Sequence, residues 1–114
     1  MTIKKFEDII AWQKVRELNK ELNYSFVDLR NFTFKDQILR AGLSINNNIA
    51  EGFERSGDKE LKYFLHVARG SAAEVRSMLY MALDMKYIEE ARFQELYGLT
   101  VEVGRLITGF IKKL

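Results

Sequence analysis

Gln37, Arg40, Ser44, Asn48, Glu51 and Arg55 recur every three or four positions, and they are the residues here whose types and spacing could do directed chemistry. On a helix that spacing lines them along one face. Two guanidinium groups, one carboxylate, two amides and a hydroxyl suit hydrogen bonding and ion pairing better than proton transfer. His66 is the only histidine and cysteine is absent. That excludes a two-histidine zinc site, a thiolate nucleophile and disulfides. An acid and base pair would have to come from helix-face carboxylates such as Glu51 and Glu74, which a folded-back hairpin leaves several turns apart. Neither a phosphate loop nor a nucleophile elbow is present, and Gly52, Gly57 and Gly70 assemble into neither. The expectation is a protein that is not an enzyme, with no cofactor, metal or small-molecule substrate.

The stripe runs through three consecutive asparagines, residues 46 to 48. Asparagine competes for backbone hydrogen bonds, so three in a helix interior cost about 1.5 kcal/mol or more relative to alanine. Some interaction must offset that. Asn48 lies on the stripe, Asn46 is expected to face solvent, and Asn47 lies between. If helices two and three form a hairpin turning at residues 56 and 57, Arg40 falls beside Glu74, Ser44 beside Arg69, and Glu51 beside Lys62 or His66. The expectation is an interhelical polar network of Arg40, Ser44, Asn48, Glu51, Arg69 and Glu74 that fixes register. A solvated helix face is the alternative.

Long helices are needed to position such a stripe, and apolar residues recur at helical spacing in four blocks with no period-two strand. The first block places Trp12, Val15, Leu18, Leu22 and Phe26 on one face, the second Ile38, Gly42, Ile45, Ile49 and Phe53. The third carries Leu61, Phe64, Leu65, Ala68, Ala72, Val75, Leu79 and Ala82, and the last Phe93, Leu96, Thr100, Val103, Ile107 and Phe110. Aromatic and methionine residues at this spacing are core rather than a ligand box. Asn31 and Thr33 mark one turn. Ser56, Gly57 and Asp58 mark another, with Asp58 the expected N-cap of the third helix. Proline is absent, which favours long helices with short connections. These features predict an all-α, antiparallel up-and-down four-helix bundle, with helices at about 8–29, 34–54, 58–84 and 89–113. At 114 residues the chain, residues 1–114, is expected to be one domain. No apolar run reaches the roughly 18 residues of a membrane span, and the N-terminus lacks a signal-like apolar stretch, so a cytoplasmic location is expected.

Gly42, Gly52, Gly70, Gly98, Gly104 and Gly109 all fall inside these helices, where each costs up to about 1 kcal/mol against alanine. Close helix contact is the simplest compensation. Gly70, Ser71, Ala72 and Ala73 make a small-residue patch that would let a neighbouring helix or subunit approach.

QILRAGLSINNNIAEGF together with FLHVARGSAAE resembles the signature of the 23S rRNA intervening sequence proteins, and FEDIIAWQK resembles that family's start of helix one. The resemblance covers essentially the whole chain. Carried over, the family's marked positions fall on Trp12, Gln13, Arg40, Ser44, Ile45, Asn48, Ile49, Ala50, Glu51, Gly52, Phe64, Leu65, Arg69, Gly70, Ser71 and Glu74. The sequence departs from the family at LRNFTFKDQ, which is short and lacks the usual proline and glycine, and at Asn46, where proline is frequent. The resemblance implies a bacterial four-helix bundle, commonly a ring-shaped homopentamer. In a related branch, the accessory protein of diversity-generating retroelements, a basic pentamer surface engages RNA and a reverse transcriptase.

The net charge of +2 is too small to argue for nucleic acid, so distribution must carry the case. In an up-and-down bundle one end collects Lys4, Lys5, Arg55, Lys59, Lys62, Lys112 and Lys113, partly offset by Glu7, Asp8, Glu54, Asp58 and Glu60. A ring of such ends would present a broad positive surface to phosphate backbone. The expected partners are other copies of this chain and RNA or an RNA-binding protein. The alternative is a protein-interaction scaffold without nucleic acid, anchored by Tyr24, Tyr63, Tyr80, Tyr87 and Tyr97 at the margins of the apolar stripes.

Overall fold

The computed structural model describes residues 2–114. A 3-10 turn, Phe6–Asp8, leads into four helices: α1 (Ile10–Phe26), α2 (Phe32–Glu54), α3 (Asp58–Asp84) and α4 (Glu90–Lys112). The long axis of the molecule is 43 Å. A helix of 27 residues spans about 40 Å at 1.5 Å per residue, so α3 alone sets the length.

Each helix packs against its chain neighbours, and α1 closes the ring against α4. Contacts run in opposite chain directions across every seam. Asn46 and Gly42 of α2 meet Trp12 and Asn19 of α1. Gln37 meets Glu74, whereas Ser44 meets Ser71. Arg69 meets Thr108, Tyr80 meets Tyr97, and Glu21 and Lys14 meet Arg92 and Glu102. The arrangement is therefore an antiparallel bundle.

The core is built by the three-four stripes. Val15, Leu18, Leu22, Phe26, Ile38, Ile45, Ile49, Leu65, Ala68, Val75, Leu79, Leu96, Val103 and Ile107 are fully buried. Trp12, Phe53, Phe64 and Phe110 are half-buried at its edges. Thr100 is buried among them and donates its hydroxyl to the Leu96 carbonyl at 2.8 Å, which satisfies the one polar atom it brings.

Helix ends or caps differ from the sequence expectation at three helices. α1 covers Ile10–Phe26 rather than about 8–29, with Phe6–Asp8 a separate 3-10 turn before it. Asn31 caps α2, its side chain accepting from the Phe34 amide at 3.1 Å, so that helix starts at Phe32 rather than near residue 34. At α3 the N-cap is Gly57, not Asp58. Its φ of 126° is a conformation that side chains disfavour. Asp58 moves one position inward, where with Glu60 it meets the positive end of the helix dipole. At the opposite end of the bundle, Asn31 donates to the Tyr87 hydroxyl at 2.8 Å, tying the first loop to the last.

Candidate functional site

The polar stripe on α2 splits into short pairs. Ser44 and Ser71 share a hydrogen bond of 2.9 Å across the α2–α3 seam, and the Asn48 amide donates back to the Ser44 carbonyl and hydroxyl at 2.8 and 3.0 Å. Ser44 and Asn48, both members of the expected network, meet within α2. None of the expected interhelical pairs is formed. Glu74 accepts from Gln37 at 2.7 Å, leaving Arg40 exposed beyond it. Ser44 is met by Ser71 because Arg69, two residues away and about 200° around α3, points to α4. There it donates to Thr108 at 3.3 Å and lies 3.0 Å from His66. Glu51 pairs with Arg55 on its own helix at 2.7 Å and reaches neither Lys62 nor His66.

The asparagine that matters most to packing is Asn46, which does not face solvent. It donates to the Trp12 carbonyl at 3.2 Å and accepts from the Asn19 amide, which also donates to the Gly42 carbonyl at 3.0 Å. A Cβ at Gly42 would collide with the Asn19 side-chain oxygen. The missing side chain is what lets α1 and α2 close over this cluster. Gly42 and Asn46 are one helical turn apart, the signal from which the cluster could have been read. A second cluster unforeseen in the sequence joins α1 to α4. Half-buried Arg92 donates to the Ser25 hydroxyl, the Glu21 carbonyl and the Glu21 carboxylate at 2.8 to 3.1 Å.

At the end of the bundle that holds both termini, Thr2, Ile3, Asp58, Lys113 and Leu114 line one hollow of about 540 Å³, which brings the start of the chain, the α2–α3 turn and the C-terminus together. Lys4, Lys5, Lys59, Lys112 and Lys113 are exposed there and Lys62 is half-buried. Arg55 is different, since Glu51 neutralises it and its guanidinium lies 5.1 Å from the centre of the Phe64 ring.

A second hollow, about 730 Å³, runs along the seam between α3 and α4. Arg69 and Arg76 project from α3 and Arg105 and Lys112 from α4, over a floor of Gly70, Ala72, Ala73, Thr100 and Gly104. No carboxylate lines it. Glu74 and Glu102, the acids at its level on the two helices, turn to other seams, Glu74 to Gln37 and Glu102 to Lys14. Contact with Glu17, aided by Glu102, holds the Lys14 ammonium above its ordinary pKa. Next along the α3 face, Tyr80 is 49% exposed and packs edge-on to Tyr97. Hydrogen bonding to Tyr97 raises the Tyr80 phenol above its usual range, opposed by the nearby Arg76 charge.

Among the described residues, no group of three or more histidine or acidic side chains is placed to hold a metal, and no helix is long and apolar enough to cross a membrane. Residues 7–109 match the family model described as 23S rRNA-intervening sequence protein. A crystal structure from Bacteroides thetaiotaomicron VPI-5482, of a protein of unknown function from the S23 ribosomal protein family, superposes with a TM-score of 0.83 at 23% identity, covering 90% of this chain and 96% of that one. At that identity the likeness is one of fold. No curated protein matches.

Proposed function

The chain belongs to the 23S rRNA-intervening sequence protein family, and we propose that it acts as a non-enzymatic, cytoplasmic RNA-binding or RNA–protein scaffolding module that works as a homo-oligomer, a pentamer in our reading. One observation carries the proposal. Lys4, Lys5, Lys59, Lys62, Lys112 and Lys113 gather toward one end of the bundle, and among the described residues none of them is engaged in an ion pair. A monomer carries little excess charge there, because Glu7, Asp8, Glu54, Asp58 and Glu60 share that end. Assembly into a ring repeats the excess around an axis and produces a field that attracts phosphate without reading sequence.

Light scattering at low and high salt, followed by titration with structured RNA, tests this. The expected result is a mass several times the 13.3 kDa of one chain and an RNA affinity that falls steeply with salt. A monomer, or an oligomer indifferent to RNA, would overturn it. The second reading, a protein scaffold, is favoured by Tyr24 and Tyr63, which are 69% and 64% exposed. Binding through such residues would change little with salt.

A further inference from the structure

We propose that the groove between α3 and α4 is the track for a single ribose–phosphate strand, with Arg69, Arg76, Arg105 and Lys112 holding its phosphates and Tyr80 stacking a base at the far end. This rests on the RNA-binding reading above and moves the principal contact from the bundle end to the side of the molecule.

Helix register lines the cations up. Arg69 lies opposite Thr108 and Tyr80 opposite Tyr97, which sets Lys112, Arg69, Arg105 and Arg76 in that order along the groove. They alternate between the two helices at about one-turn intervals, roughly 5 to 6 Å apart, and span about 16 Å. A stacked strand rising about 3.4 Å per nucleotide would place about five phosphates along that length. Guanidinium groups bind phosphate through paired donors. None of the four cations forms an ion pair within the described residues, and no carboxylate lines the groove.

The floor supplies an independent observation. Gly70 and Gly104 face the groove from opposite helices, and a Cβ at either would meet nothing within 4 Å. Intrachain packing therefore does not require them, although each weakens its helix. Gly98 and Gly109 outside the groove are equally open, so what Gly70 and Gly104 supply is room for an occupant to approach the backbone closely. The occupant is a strand rather than a partner helix because four cations in one line, with no carboxylate among the described lining residues, match a chain that carries a negative charge about every 3.4 Å. Tyr80, one turn beyond Arg76 and half exposed, offers the kind of ring face on which single-stranded bases stack.

The test is fluorescence anisotropy with a labelled single-stranded oligoadenylate RNA of about ten nucleotides, on the full chain over a range of salt. Three proteins are compared with wild type: Arg76→Gln/Arg105→Gln, Ala73→Glu, and Lys4→Gln/Lys5→Gln/Lys59→Gln/Lys113→Gln. Circular dichroism confirms the helix content of each. Ala73→Glu adds a carboxylate to the floor and removes no contact, so it holds the test open if the arginine variant misfolds. The expected result is a loss of tenfold or more for both groove variants. For the arginine pair the salt slope should also flatten by about 1.4, at about 0.7 per phosphate contact on a single strand. The inference is overturned, with RNA binding intact, if the groove variants bind as wild type while the end variant loses affinity. Tighter binding of a polyglutamate peptide than of the RNA at equal salt overturns it in favour of an acidic protein. A wild type that binds structured RNA but not the oligoadenylate overturns the groove inference alone, and one that binds neither overturns both readings.

Discussion

The seams that α2 forms and the seam between α3 and α4 use glycine in opposite ways. Where α2 meets α1 and α3, glycine is a packing requirement: a Cβ at Gly52 would lie 2.6 Å from the Phe64 Cβ, and one at Gly42 would strike Asn19. Where α3 meets α4, Gly70 and Gly104 touch nothing that a methyl group would disturb. Hydrogen bonds between asparagine and backbone close α2 on α1 and the Ser44–Ser71 bond joins it to α3, whereas the α3–α4 seam stays open under a row of cations that form no ion pair among the described residues. Residues of one type, in helices of one bundle, thus serve folding on one side and access on the other.

Gly52→Ala should break the closed seam most severely. Phe64 is blocked at its Cβ rather than at a flexible tip, so α2 and α3 must separate. Overpacking of this kind costs about 1 to 3 kcal/mol, and a urea titration should register a loss of about 2 kcal/mol. Gly42→Ala should cost slightly less, about 1 to 2 kcal/mol, because Asn19 can swing away at the expense of its hydrogen bonds. Asn46→Ala should fall in the same range and couple to Asn19→Ala in a double-mutant cycle.

The open seam should respond in the opposite direction. Gly104→Ala is expected to raise stability by about 0.5 to 1 kcal/mol, since helix propensity improves and nothing is displaced. A destabilised Gly104→Ala protein would place that glycine with Gly42 and Gly52 and erase the contrast. The smallest effect is expected at Arg40. Its coupling to Glu74 should be near zero, whereas Gln37→Ala and Glu74→Ala should couple by a few tenths of a kcal/mol, as exposed pairs do.

The fold was legible in the sequence because burial depends on a period, and periods survive ignorance of neighbours. Leu61, Leu65, Ala68, Ala72, Val75, Leu79 and Ala82 are all buried, as their spacing implied. Pairing needs two coordinates, level along the axis and rotation about it. Matching levels brought Arg40 near Glu74 and Ser44 near Arg69, but rotation gave those contacts to Gln37 and Ser71. The same omission turned Asn46 outward on paper, when Gly42 one turn before it marked the face that α1 covers. The basic groove was hidden for another reason. Arg69, Arg76, Arg105 and Lys112 are scattered over two helices, and only the α3–α4 register aligns them while turning Glu74 and Glu102 away. A net charge of +2 gives no sign of that segregation.

Amide chemical-shift mapping with single-stranded RNA would show whether the strand lies in the α3–α4 groove, because it locates contact without altering the protein. Shifts should concentrate at Gly70, Ala73, Arg76, Gly104 and Arg105 and disappear as salt is raised. Shifts confined to the neighbourhood of Tyr24 and Tyr63, or no shifts in any part of the spectrum, would contradict that placement.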